Sequence, residues 1–291
     1  MTEGPVVVGT DGSAGAARAV SWAAQEAALR HQPLHIVCAV DLDLAERLSD
    51  ETARRVREAA RSLAAEAAAA ASDKAPGLAV TTEVGQEPAA DSLLRAATAV
   101  VPRAGDAAAT IVVGSRGAGG FSALLLGSVG LTVAGQASCP VVVVRGMERP
   151  SSRVVVVGVR DEKDLDAVRF AGQTARRRKA SLRLLSAWSY FQYVGSMVPL
   201  ADEVRRAVEA EAAASTRMLG SVREEFPDIK VTEEVARAPS PAGELVAASS
   251  HADLVVLGAR RPAHHMGRAL GRVTHAVLQH AQCPVAVVPH G

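Results

Sequence analysis

Short apolar runs and longer amphipathic stretches alternate along the whole chain, and the alternation occurs twice. In the first half, runs rich in β-branched residues fall at 5–10, 34–40, 79–84, 109–113 and 141–144. Helical periodicity fills 14–31, 49–74, 87–100 and 127–137 between them. Runs apolar at nearly every position, rather than every second one, predict strands buried on both faces. Strand–helix alternation then predicts a parallel sheet covered by helices on both sides. The second half places strands at 153–159, 182–188, 229–235, 253–257 and 285–288, again with helices between them.

The two halves are one unit written twice. Val6-Val7-Val8-Gly9 corresponds to Val155-Val156-Val157-Gly158, and Ala19-Val20-Ser21-Trp22-Ala23 to Ala167-Val168-Arg169-Phe170-Ala171. Ile111-Val112-Val113-Gly114 matches Val255-Val256-Leu257-Gly258. Cys139-Pro140-Val141-Val142 matches Cys283-Pro284-Val285-Ala286. Between the copies, 147–152 reads as a linker, which predicts domains at 1–146 and 153–291. A chain of 291 residues is long enough for two separate cores.

Composition narrows the class. Hydrophobic content of 48% with 22% charge is that of a globular protein, and a net charge of +1 supplies no field for nucleic acid or anionic lipid. No apolar run is long enough to span a bilayer, and the start lacks a signal-peptide pattern. The expectation is a cytoplasmic chain with neither membrane nor nucleic acid as partner. Cys38, Cys139 and Cys283 lie in apolar sequence without a Cys-x-x-Cys neighbour and read as reduced core residues.

The chemistry concentrates after the 109–113 strand. There the chain reads Gly114-Ser115-Arg116-Gly117, nine further residues, then Gly127-Ser128 ahead of the apolar stretch 129–134. A glycine loop leaving a strand, followed by a glycine and an N-cap serine opening a helix, is the order an anion site requires. Glycines admit close approach, and the helix start supplies N–H donors and a positive dipole end. No Gly-Lys-Ser/Thr follows, so this is not a P-loop. Ser122 stands where a dinucleotide fingerprint would need its third glycine. The loop Gly9-Thr10-Asp11-Gly12-Ser13 after the first strand should meet this cradle over the crevice where strand order reverses. Asp11 is a candidate for a ribose hydroxyl or a magnesium ion; an Asx turn at Asp11 is the structural alternative, with Ser13 able to cap the helix.

Val-Gly-Thr-Asp-Gly-Ser at 8–13, the Gly-x2-Gly-x9-Gly-Ser pattern at 114–128 and the terminal Cys-Pro-Val runs together resemble a tandem universal stress protein. The resemblance implies two tandem Rossmann-like α/β domains, each with five parallel strands in the order 3-2-1-4-5, and ATP binding in copies that keep the signature. It assigns Gly9, Thr10, Asp11, Gly114, Gly117, Gly127, Ser128 and Val129 to the nucleotide, with the Val40 backbone at the adenine edge; Arg116 is a candidate for a charge-assisted phosphate contact and equally reads as a solvated loop arginine. It also implies an internal pseudo-dimer of the two halves; a further homodimer is left open.

The second copy departs from the signature. Arg261 and Arg272 replace the second glycine and the serine, Val159-Arg160-Asp161-Glu162 stands for Thr10-Asp11-Gly12-Ser13, and Trp188 stands for Val40. A side chain in the loop and a cation at a helix start both oppose a phosphate site. This copy is expected not to bind ATP. Arg260, Arg261, Arg268 and Arg272, with His264 and His265, form a basic stretch that reads either as a solvated loop or as a grip for another anion. The first copy carries an extra loop near 101–106 without an assigned role.

Three functions compete: a nucleotide-binding regulatory protein, a slow ATPase or phosphoryl/adenylyl-transfer enzyme on the same cradle, and an interaction module without nucleotide. Neither His31 nor His35 falls in a crevice loop, and the motifs assemble no nucleophile–base set. The binding reading is preferred.

Overall fold

A computed structural model describes residues 4–40, 49–101, 109–117, 126–147, 149–188, 216–259 and 270–290. The extra loop of the first copy after Val101 lies outside them, as do Ser122 and the basic stretch at 260–269. The chain divides into two compact units, Met1–Arg145 and Gly146–Gly291.

In the first unit the strands are β1 (Val6–Gly9), β2 (Leu34–Ala39), β3 (Val80–Gly85), β4 (Thr110–Gly114) and β5 (Val141–Val144). All neighbouring pairs are parallel, and the pairings run β3-β2-β1-β4-β5. Val6, Val7, Val8, Ile111, Val112 and Val142 are wholly buried, as strands sandwiched between two helix layers must be. The helices are α1 (Ala14–Arg30), α2 (Asp50–Lys74), α3 (Ala89–Ala99) and α4 (Ser128–Gln136). Right-handed crossovers put α1 and α2 on one face. The return to β4 and β5 puts α3 and α4 on the other, and α1 packs on α2 as α3 does on α4. Strand order reverses between β1 and β4, which opens a crevice at their carboxyl ends.

Local chemistry explains where the helices begin. Ser13 caps α1 by accepting the Ala16 N–H at 3.2 Å. Ser49 caps α2 by accepting the Thr52 N–H at 3.1 Å, with Asp50 and Glu51 in the first turn against the dipole. The start of α4 differs from the expectation. Gly127, not Ser128, is the cap residue; Ser128 is the first helical residue, and no side chain caps this helix.

Polar anchoring inside the first unit centres on Glu26, wholly buried in α1, which pairs with Arg30 at 2.9 Å. Arg30 also donates to the Thr110 hydroxyl at 2.7 Å, tying the end of α1 to the start of β4.

The second unit repeats the design. Its strands are β6 (Val154–Gly158), β7 (Ser181–Trp188), β8 (Val231–Arg237), β9 (Leu254–Ala259) and β10 (Val285–Pro289). They pair in parallel in the equivalent order β8-β7-β6-β9-β10. Helices α5 (Leu165–Arg177), α6 (Pro241–Ser249) and α7 (Arg272–His280) are joined by helical residues 216–225. The stretch expected to be a plain linker is tied down. Arg149 donates to the carbonyls of Ser249 and Ser250 at 3.1 and 2.8 Å, capping the end of α6. Asp253 accepts the N–H groups of Ser152 and Arg153 at 2.7 and 2.9 Å. Among the described residues no helix is long and apolar enough to cross a membrane.

Candidate nucleotide site

The first unit carries a cleft of about 470 Å³ at the carboxyl ends of β1, β2 and β4. Nine of the ten residues singled out from the sequence line it: Gly9, Thr10, Asp11, Gly114, Arg116, Gly117, Gly127, Ser128 and Val129. Val37, Ala39, Ala89 and Leu93 make an apolar wall, and Ala16, Val113 and Gly130 complete the lining. No motif marked these residues; small apolar side chains on buried strands and helices look alike in sequence.

Two loops shape the polar end. After β1, the Thr10 N–H extends the ladder by bonding the Val37 carbonyl at 2.9 Å. Gly12 adopts φ +76°, which a side chain would resist, and a Cβ there would also press on Leu63 of α2. Asp11 Oδ1 accepts the Ser13 N–H at 3.0 Å, so the Asx turn forms, while Ser13 caps the helix. Both local roles are therefore filled. Ser13 also donates its hydroxyl to the Arg116 carbonyl at 3.4 Å, linking the β1 loop to the β4 loop.

The glycines do different work from one another. A Cβ on Gly114 would lie 2.8 Å from the carbonyl carbon and oxygen of Gly15, and a Cβ on Gly15 would strike the Arg116 carbonyl. Gly114 lines the cleft, and its small size also lets α1 sit main chain to main chain on the β4 loop. Gly15, absent from the sequence-based set, is its partner. Gly117 faces Asp11, and a Cβ there would overlap Asp11 Oδ2. Neither Gly114 nor Gly117 has positive φ. Closeness, not an unusual bend, requires glycine at both.

At the start of α4 the donors are distributed differently from the expectation. Gly127 donates its N–H to the Ser115 carbonyl at 2.8 Å, so its amide is committed. The first closed turn of α4 runs from the Leu131 N–H to the Gly127 carbonyl at 3.2 Å. The amides of Ser128, Val129 and Gly130 precede it, and first-turn amides have no acceptor within their own helix. With no side-chain cap, this helix end presents donors and a positive dipole to the cleft. Val40 lies just past β2 and outside the lining; its N–H bonds the Gly85 carbonyl at 2.9 Å. Its carbonyl is the main-chain group it has to offer.

Burial, reinforced by the negative charge of Asp11, pushes the Cys38 thiol above its ordinary range, so Cys38 stays protonated. Among the described residues no group of three or more His, Cys, Asp or Glu side chains could hold a metal ion.

The model of the Universal stress protein family matches residues 4–145 and again 151–289. The chain belongs to the universal stress protein family. A universal stress protein of Mycolicibacterium smegmatis is 33% identical over 302 residues, covering 99% of this chain and 97% of that protein. One from Mycobacterium tuberculosis H37Rv is 33% identical over 309 residues, covering 97% and 95%. The crystal structure of a universal stress protein from Archaeoglobus fulgidus shares the fold, with a TM-score of 0.70 at 18% identity and 98% coverage of both chains.

The second universal stress protein domain rebuilds the corresponding place. The sequence alignment set Glu162 opposite Ser13, but the helix caps correct it by one residue. Asp161 accepts the Lys163 N–H at 3.0 Å and forms a capping box with Asp164, so Asp161 takes the Ser13 position. Asp164 then falls where Ala16 lines the first cleft. Its Oδ2 accepts the Arg160 N–H at 2.8 Å, and its Oδ1 lies 3.5 Å from His290 Nε2. Both side chains are buried against Gly258, the counterpart of Gly114. Arg272 is the first residue of α7, behind the Gly271 cap. Arg260, Arg261, Arg268, His264, His265 and the Trp188 side chain lie outside the described residues.

Proposed function

We propose that the first domain binds ATP in its cleft, one molecule per chain, and that occupancy governs how the protein engages its partners in a stress response. One observation carries this reading. The uncapped start of α4 and the glycine loop after β4 form the polar end of a cleft whose other wall is apolar. A triphosphate suits the donors, and an adenine ring suits the wall of Val37, Ala39, Ala89 and Leu93.

The amides of Ser128 and Val129, with the Ser128 hydroxyl, take phosphate oxygens in this proposal. Arg116 adds a charge-assisted contact to them. Gly127 serves by size and by capping rather than by its amide. Asp11 accepts a ribose hydroxyl, and the Val40 carbonyl accepts the adenine amino group. Magnesium, which keeps several waters and needs only one or two carboxylates, fits Asp11 together with the phosphates.

The proposal is for binding rather than turnover. His31 caps the far end of α1, and His35 bonds Thr81 and Glu83, so neither histidine lines the cleft. In the second domain an anion would meet the Asp164 carboxylate at the place equivalent to Ala16, which supports a single site per chain.

Calorimetry with ATP-Mg, paired with mass analysis of nucleotide carried through purification, tests the reading. The expected stoichiometry is one per chain, abolished by Gly117→Arg with the fold retained. Two nucleotides per chain, or undiminished affinity in that variant, would overturn it. Turnover above about 1 per second would move the protein among ordinary enzymes instead.

A further inference from the structure

The sheet of the second unit ends at β8, which among the described residues pairs only with β7. Its other edge is bare. We propose that this edge docks a second copy of the same chain, the two β8 strands lying antiparallel about a twofold axis at Val235.

The first argument is the main chain. In a parallel edge strand, alternate residues turn both backbone groups towards the neighbouring strand and the others turn them away. The Leu182 N–H donates to the Lys230 carbonyl at 2.9 Å, which assigns Lys230, Thr232, Glu234 and Ala236 to β7. The N–H and C=O groups of Glu233, Val235 and Arg237 therefore point away from the sheet. So does the Val231 carbonyl, which accepts the Arg223 guanidinium at 3.4 Å. No proline interrupts the strand, and such an edge is a template for another strand.

The second argument is charge, which selects the register. Centring the antiparallel pair on Glu233 or on Glu234 sets that glutamate directly opposite its own copy, and like charges so placed destabilise a sheet. The Glu234 centre would also need the Val231 carbonyl that Arg223 already holds. Centring the pair on Val235 sets Glu233 opposite the partner's Arg237, and Arg237 opposite the partner's Glu233. Each opposed pair of outward residues then exchanges two main-chain hydrogen bonds.

The third argument is what the isolated chain leaves unmet. Val235 is 48% exposed, and Glu233 Oε1 is buried without a hydrogen-bond partner. A buried, unpaired carboxylate oxygen costs free energy that an arriving cation recovers. Twofold pairing answers both, because Val235 meets its own copy and an arginine arrives opposite Glu233. The edge strand of the first unit, β3, lacks this pattern. Its one carboxylate, Glu83, already pairs with Arg95 and His35, and β3 has no cation to offer a copy. An isologous strand pair closes at two copies, and its small buried area makes the dimer depend on concentration.

Analytical ultracentrifugation of the full chain over a range of concentrations tests the interface, and a monomer–dimer equilibrium is expected. Arg237→Glu or Glu233→Arg sets like charges opposite each other on both sides of the axis and should weaken the dimer about tenfold. The two changes together restore the attraction and should return the parent's affinity, which separates a broken pair from a damaged fold. Val235→Cys gives an independent readout. Opposed residues of a hydrogen-bonded pair lie about 5.5 Å apart, within the span of a disulfide. Mild oxidation should then yield a covalent dimer through position 235, since Cys38, Cys139 and Cys283 are buried. A chain that is monomeric throughout, a double variant without recovery, or the absence of that crosslink would overturn the proposal. None of these results depends on whether nucleotide binds the first domain.

Discussion

Gly117→Ala is the smallest change that separates a glycine kept for the ligand from one kept for a neighbouring side chain. The added methyl would occupy the place of Asp11 Oδ2, so the Asp11 carboxylate must turn away. The apo protein loses little. The bond from the Ser13 N–H to Asp11 is exposed and is worth about 1 kcal/mol. Gly117 has no positive φ, so alanine recovers about 0.4–1 kcal/mol by restricting the unfolded chain. The thermal transition should therefore shift by no more than about 2–4 °C. Binding loses more, because the displaced carboxylate no longer meets the ribose. A hydrogen bond to a charged group contributes about 1.5–3 kcal/mol, which at about 1.4 kcal/mol per decade means roughly 10- to 150-fold weaker ATP. Calorimetry on the parent protein, Gly117→Ala, Asp11→Ala and the double variant completes a cycle. If Gly117 acts through Asp11, the double variant binds no more weakly than Asp11→Ala alone. Losses that multiply would refute the coupling, and parent-like affinity in Gly117→Ala would remove Asp11 from the site.

Other parts of the molecule make separate predictions. Glu26→Ala leaves Arg30 buried beside Thr110 without its carboxylate, and should cost about 3–5 kcal/mol, read as a melting point lower by roughly 6–20 °C. The Arg95 hydrogen bond, opposed by burial and aided by His35, holds the Glu83 carboxyl below its ordinary range. A depressed carboxyl stabilises the fold above its unfolded value, near pH 4.3, and loses that contribution as pH falls through the folded value. These side chains are partly exposed, so the contribution is about 1 kcal/mol or less. Urea midpoints of the parent and Glu83→Gln should differ at pH 6 and draw together as pH falls below about 4.3, and a constant gap would contradict the assignment. Asp253→Ala releases the main-chain N–H groups of Ser152 and Arg153. Trypsin should then cut between 147 and 153 faster than in the parent, while an unchanged rate would mean that Arg149 alone holds the segment.

What was legible in the sequence was whatever depends on neighbours along the chain. Buried parallel strands must be apolar at successive positions, so β1, β4 and β5 stand out as valine runs. A glycine loop joining a strand to a helix likewise shows itself within fifteen residues. The cap of α4 was misplaced by one residue because glycine and serine both serve at that position, and only geometry decides which does. The contacts that give the cleft its shape are of another kind. That the β1 loop meets the β4 loop was legible, but the atoms that touch were not: Gly15 against Arg116, Gly117 against Asp11 and Gly127 against Ser115. The cost of this blindness is clearest in the second domain, where the replaced loop residues drew attention. A further difference sits just ahead of α5, at Asp164 in the position of Ala16. Alanine adds one uncharged methyl to the wall of the first cleft. Aspartate at the same place supplies a buried carboxylate beside His290 and takes up the loop amide of Arg160. Under the proposal of one nucleotide per chain, Asp164 joins the replaced loop residues in opposing an anion in the second copy, with the sheet beneath unaltered.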